Sequence, residues 1–276
     1  MLKKISVIIP TCNRQRELIQ SIRSVINQSY IGEIEIIIVD DSIHSNKKII
    51  ENEFSTLLKN NRSRKIIYIH KAKKEGSPVA RNIGIQKSNG EFIAFLDDDD
   101  LWLPEKIKKQ VDLLEKEKDV SLVICYSLDK RFGRERINRP PKFISHETVL
   151  NAFNLSSTSS YLMRKDVIYK LGGFDIKLPS AQEYDLAIRL SKEHKIRCVP
   201  EVLMIQQSTQ GQISEDWNKK IKGLVAIYSK HKRDYYSSSK INHLKFIGML
   251  GLFTIGYLIG DKIYNLIIPM KELYEE

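Results

Sequence analysis

Residues 90–107 read GEFIAFLDDDDLWLPEKI. An apolar run over residues 92–96 ends in four adjacent acids, Asp97, Asp98, Asp99 and Asp100. Trp102 follows, then Pro104 at what reads as a helix start. A run that is apolar throughout predicts a strand covered on both faces. Neighbouring carboxylates repel one another, so a chain keeps four of them at a strand end only where something offsets the charge.

The same pairing of buried strand and polar exit recurs upstream. Residues 5–9 form a β-branched run ending at Pro10, and residues 34–39 a second run ending at Asp40 and Asp41. Residues 66–69 and 121–126 predict further strands. Between them, residues 17–28, 47–58, 78–87 and 104–116 read as helices; in the first, Leu18, Ile22, Val25 and Ile26 share one side. Strands alternating with helices indicate parallel βαβ units and an open α/β sheet. Ligands bind such sheets at the carboxyl ends of the strands, near a switch in strand order. Pro10, Thr11, Asn13 and Arg14 follow the first strand, Asp40 and Asp41 the second, and the four aspartates the fourth. That edge is the candidate active site.

Two carboxylates at i and i+2 leaving a rigid strand can share one hard cation, Mn2+ or Mg2+, with substrate phosphates. Asp97 and Asp99 have that spacing, as do Asp98 and Asp100. The plainer alternative is a solvated acidic turn in which Asp100 serves the next helix N-terminus.

Beyond residue 130 the alternation fades. Residues 130–142 are basic, contain Pro140-Pro141 and predict a loop. A polar patch covers residues 156–160, a short apolar stretch residues 161–163, and Gly172-Gly173-Phe174-Asp175 reads as a turn. Residues 183–193 predict a helix and residues 199–205 a strand. Residues 217–245 carry eight Lys or Arg and one acid, Asp234. The apolar residues 246–259 are short for a membrane span, which needs about 20 residues. They predict a helical hairpin packed on protein, with a membrane-surface element as the alternative. The organisation expected is a catalytic domain over residues 1–215, in halves 1–128 and 129–215, with a basic, partly apolar helical extension over 216–276.

A chain of 276 residues with 42% hydrophobic and 29% charged residues predicts a folded domain rather than disorder. Its net charge of +11 calls for an anionic partner: nucleic acid, nucleotide phosphates or an acidic membrane surface. Cys12, Cys125 and Cys198 match no metal pattern and read as reduced thiols in a cytoplasmic protein. The start reads as a strand, not a signal peptide.

Taken in order, SVIIPTCNR, EIIIVDDS, GSPVARNIGIQKSNGEFIAFLDDDDLWLPEKI and GGFDIKLPSAQEYDLAIRL resemble the blocks of family 2 glycosyltransferases with the GT-A fold. The resemblance covers residues 5–190 and implies an open, mostly parallel sheet flanked by helices. It implies transfer of a sugar, with inversion, from a nucleoside-diphosphate sugar such as a UDP-sugar to an acceptor hydroxyl. The acceptor implied is a glycan or a lipid-linked saccharide at the inner face of the membrane. By the same resemblance Pro10, Thr11, Asn13, Arg14, Asp40, Asp41, Arg81, Asp97 and Asp98 would bind the donor. Asp97 and Asp99 would hold the metal, and Trp102 would pack as a wall. QEYDL places Glu183 where the family has its base, with Asp185 two residues on. Near Gln207, where many relatives have a histidine, this chain has glutamine.

Two other classes compete. A nucleotidyltransferase acting on sugar phosphates would share the acidic edge but wants a glycine-rich loop after the first strand, and residues 10–14 contain no glycine. A nucleic-acid-binding module would fit the charge, but the basic residues lack interleaved aromatics; no nucleic acid is expected.

Overall fold

The structure is a computed structural model and describes residues 2–71, 73–130, 135–152, 155–207 and 217–238, with residues 244, 246–248 and 251. The first half runs β1 (Ile5–Thr11), α1 (Gln15–Ile26), β2 (Ile34–Asp40), α2 (Lys47–Asn60), β3 (Arg64–His70), α3 (Ser77–Lys87), β4 (Phe92–Phe95), β5 (Leu101–Trp102) and α4 (Lys106–Lys116). The second half runs β6 (Val120–Asp129), β7 (Arg136–Asn138), β8 (Phe143–Ile144), α5 (His146–Ala152), β9 (Leu162–Arg164), α6 (Lys165–Lys170), α7 (Gln182–Ser191), β10 (Lys195–Gln206) and α8 (Trp217–Ser238).

All ten strands join one sheet, in the order β3-β2-β1-β4-β9-β6-β10-β5, with β7 on β6 and β8 on β10. The pairs β1–β2, β1–β4, β2–β3 and β6–β10 are parallel. The expected open α/β sheet is therefore present. β1 leads to β2 on one side and lies against β4 on the other, which makes its carboxyl end the switch point. Register sets the edge: Thr11 stands beside Asp40, and Ile8 beside Phe95. The chain leaving β4 thus reaches the level of Thr11 as the aspartates begin.

Strand alternation sorts the core into two layers. Ile5, Val7 and Ile9 face Leu18, Ile22 and Val25 of α1, Phe54 of α2 and Ile107 of α4. Ile8, Ile93 and Phe95 face Ile168 of α6, Leu186 of α7 and Ile227 of α8. Each such buried side chain contributes roughly 1.5–3 kcal/mol relative to leaving it in water.

Three details depart from expectation. Within the basic stretch 130–142, Arg136–Asn138 forms β7, because the long edge of β6 offers it a ladder. The strand expected at 199–205 extends from Lys195 to Gln206, and its register shifts between Val199 and Val202, where Pro200 cannot donate. The helices α5 and α6 were not expected. Most of the apolar segment 246–259 lies outside the described residues; Phe246, within it, is buried 4.6 Å from the Tyr235 ring centroid. Helix α8 contributes Ile227 and Tyr235 to the second core. Among the described residues no helix is long and apolar enough to cross a membrane.

Candidate active site

The ends of β1, β2 and β4 bring most of the expected residues together. Pro10 is buried inside β1 opposite Val39. The Thr11 hydroxyl donates to Asp98 Oδ2 at 2.7 Å. Asn13 turns the chain with φ 57°, and its backbone N–H donates to Ser42 Oγ at 2.8 Å. That left-handed turn directs Arg14 back to the acids, where Nη1 lies 3.1 Å from Asp98 Oδ1 and 2.9 Å from Asp99 Oδ2. The Ser21 hydroxyl lies 2.9 and 2.7 Å from the carbonyl oxygens of Asp98 and Asp100, pinning the loop to α1.

The four aspartates therefore point to different partners. Burial pushes the Asp98 carboxyl up to about 6, with Asp99 adding to it and Thr11 and Arg14 opposing. Asp97 keeps 31% of its side chain exposed and pairs with Arg81 Nη2 at 2.5 Å. Asp100 is buried, and its N–H donates to Asp97 O at 3.1 Å. The charge offset expected from a dication alone is thus supplied in part by Arg14 and Arg81.

Asp40 and Asp41 diverge. Asp40 is turned into the fold and accepts from Ser42 N at 2.8 Å, Asn46 Nδ2 at 3.1 Å and the Tyr68 hydroxyl. Burial works against its charge, yet these donors hold its carboxyl below the ordinary value. Asp41 Oδ2 accepts from the N–H groups of Glu75 and Gly76 at 3.1 and 2.9 Å, and Lys71 Nζ lies 3.3 Å from Oδ1. Asp40 shapes the loop, while Asp41 ties the β3–α3 connection to the edge.

Arg81 sits in α3 with its guanidinium 5.4 Å from the Phe174 ring centroid. Its Nε is buried and has no hydrogen-bond partner among the described residues. The Phe174 turn is fixed from two sides. Asn82 brackets it through N–H and C=O, each at 2.8 Å, and Arg189 donates to the carbonyls of Leu171 and Gly173 at 2.7 and 2.8 Å.

Glu183 and Asp185, the two candidate bases, both lie in the first turn of α7 but in different surroundings. Glu183 is half-buried. Burial raises its carboxyl above the ordinary value, Arg81 opposes and Asp97 adds. The three groups therefore sit in one another's field. Asp185 is 0% exposed, with Lys230 Nζ 2.7 Å and His231 Nε2 2.8 Å from Oδ1 and Arg189 Nη2 2.8 Å from Oδ2. Burial opposes its charge, but these partners hold its carboxyl well below the usual range. Asp185 has no face open to an acceptor.

Sequence reasoning foresaw Trp102 as a wall but missed the groups that hold it and the acids in place. Trp102 is buried as a wall, donating from Nε1 to Ser159 O at 2.8 Å. Lys106 lies under its ring, 3.9 Å from the centroid, and donates to Gln110 Oε1 at 2.8 Å. The Ser159 hydroxyl accepts from Asp97 N–H at 3.0 Å. The signal available was the polar patch at residues 156–160.

Among the described residues no group of three or more His, Cys, Asp or Glu is arranged to hold a metal ion. Asp97 and Asp99 nonetheless fit a hard cation of the kind that binds through one or two carboxylates and completes its shell with phosphate oxygens and water. Their carboxylate oxygens are the right donor chemistry, and Asp97 is open.

An acidic carboxyl edge at the switch point of such a sheet is the arrangement of GT-A glycosyltransferases, and solved structures of that class share the fold. TarS of S. aureus in complex with UDP-GlcNAc superposes with a TM-score of 0.65 at 17% identity, over 82% of this chain and 66% of that one. The mannosyltransferase PcManGT of Pyrobaculum calidifontis, in complex with GDP-Man and Mn2+, gives 0.64 at 14% identity over 99% and 80%. The chain belongs to glycosyl transferase family 2, whose sequence model matches residues 6–172, more than half its length. It is 30% identical over 246 residues to the putative colanic acid biosynthesis glycosyl transferase WcaA of Escherichia coli, covering 86% of this chain and 84% of that one. It is also 30% identical over 190 residues to the Escherichia coli UDP-Glc:alpha-D-GlcNAc-diphosphoundecaprenol beta-1,3-glucosyltransferase WfaP, covering 69% and 70%. It spans 62% of the length of a Haemophilus influenzae glycosyltransferase to which it is 27% identical.

Proposed function

We propose that this glycosyltransferase moves a sugar, with inversion, from a UDP-sugar to a hydroxyl of a lipid-linked glycan at the cytoplasmic face of a membrane. The observation that carries the reading is the grouping of Glu183, Arg81 and Asp97. A carboxyl whose affinity for protons is raised by burial feels both Arg81 and the half-buried Asp97, which pair with each other at the end of β4. The acceptor hydroxyl gives its proton to Glu183. Its oxygen bonds to the anomeric carbon as the bond to the diphosphate breaks, and the electron pair leaves with the diphosphate. Attack from the face opposite the leaving group inverts the centre.

Thr11 and Asp41 would line the nucleoside side of the edge, and the Arg81 guanidinium, paired with Asp97 there, would offset charge on the diphosphate. Asp97 and Asp99 would hold Mn2+ or Mg2+, which when bound offsets the charge growing on the diphosphate. The lipid-linked acceptor and UDP donor draw support from the WfaP name and the TarS complex. The basic surface of α8 suits an anionic membrane. The test is a screen of nucleotide sugars for Mn2+-dependent hydrolysis and for transfer to polyprenyl-diphosphate saccharides. A chain that hydrolyses no donor with either metal overturns the reading.

A further inference from the structure

Helix α8 touches the catalytic turn of α7 at successive residues. Upstream, Ser180 Oγ donates to Lys219 O at 2.9 Å. There a side chain at Gly223 would bring its Cβ within 2.1 Å of Ser180 Oγ, so any other residue would have to displace that hydroxyl. Next to Glu183, the buried hydroxyls of Tyr184 and Tyr235 meet at 2.7 Å. One residue on, Asp185 Oδ1 receives both Lys230 and His231. Lys230 also reaches Asp175 Oδ2 at 2.6 Å, linking α7 to the turn that carries Phe174. His231, which makes the deepest contact, is the one residue of α8 that departs from helical geometry, at φ −106° and ψ 17°. Helix α7 itself begins on a left-handed alanine, Ala181, with φ 59°. Such a non-glycine turn persists only where its surroundings impose it.

We infer that α8 is a working part of the active site, in which Lys230, His231 and Tyr235 are positioning residues that hold Glu183 at the donor edge through Asp185 and Tyr184. This rests on the proposed role of Glu183 as base. The proposed donor pocket, built from β1, β2, β4 and Arg81 of α3, includes no side chain of α8. Loosening the brace therefore affects the chemical step and leaves donor binding in place. Misplacing a catalytic group by about 1 Å can cost on the order of 100-fold in rate.

The experiment compares Lys230→Gln, Lys230→Arg, Asp185→Asn and Glu183→Gln in the full chain, reading kcat, donor KM, donor affinity by calorimetry and the melting temperature. Lys230 is 34% exposed, so its variants test the idea even where Asp185→Asn fails to fold. Expected is a fall of about tenfold or more in kcat for Lys230→Gln, with donor KM and affinity unchanged and partial rescue in Lys230→Arg. Folded Lys230→Gln with wild-type kcat, beside an inactive Glu183→Gln, overturns the brace and leaves the base intact. Loss of donor affinity in step with kcat also overturns it, because α8 then acts on general stability. A fully active Glu183→Gln overturns the reading on which the brace depends.

Discussion

Arg81 Nη2 meets Asp97 Oδ1 at 2.5 Å, so the most exposed of the four acids is held by a cation from α3. The same guanidinium opposes the upward shift of Glu183. Arg81→Met is expected to weaken donor binding about tenfold or more, since a charge-assisted bond contributes roughly 1.5–3 kcal/mol. It is also expected to move the acid limb of the pH–rate profile to higher pH. Calorimetry and kcat/KM against pH check the two effects separately.

As the proposed base, Glu183 would have to be ionised to take a proton, and burial raises its carboxyl above the ordinary value. Activity should therefore rise with pH through a limb lying above the usual glutamate range near 4.3. Glu183→Gln should lower kcat by about 100- to 10,000-fold while leaving donor affinity within about twofold. A limb that stays in Glu183→Gln would assign it to another group.

Asp99→Asn should abolish the Mn2+-dependent part of donor binding, because an amide is a poorer ligand for a hard cation than a carboxylate. Calorimetric titration of the donor with and without Mn2+ measures it. Affinity that still responds to Mn2+ in the variant would remove Asp99 from the ligand set.

Lys106 is wholly buried, and burial pushes its ammonium down to about 8. The folded chain thus gives up this proton more readily than the unfolded chain, where lysine titrates near 10.4. Below about pH 8 both states carry the charge and its burial cost is fully present; above, the unfolded state binds more protons and stability climbs toward pH 10. Urea unfolding at pH 7.5 and 9.5 should show this rise in the wild type and its loss in Lys106→Met.

Gly173 adopts φ 73°, and a Cβ there would fall 2.4 Å from Asn82 Oδ1, the group that anchors Phe174. Gly173→Ala should destabilise the fold by about 1 kcal/mol or more and release Phe174 from Arg81. Thermal melts and donor affinity report the two consequences.

The first half of the molecule was legible because its signals are local. Continuous apolar runs marked β1, β2 and β4, and each polar exit fell at the carboxyl edge of the sheet. The second half is less so, since β7 and β8 are three and two residues long and take their strand character from neighbours far along the chain. The site shows the same divide. Thr11, Arg14 and the aspartates were visible from order and spacing. That Asp185 is sealed was not, because His231 and Lys230, which seal it, stand about 45 residues away with no pattern linking them. Asp40 turns inward for a similar reason: Tyr68 and Asn46 occupy its oxygens.

Strand β9 has only three residues, yet it hydrogen-bonds to β4 on one side and β6 on the other. That seam makes the two halves mechanically a single plate. Bending the halves toward each other would break ladder bonds in the middle of the sheet. Any movement between the halves that did occur would have to be paid for in those central ladder bonds.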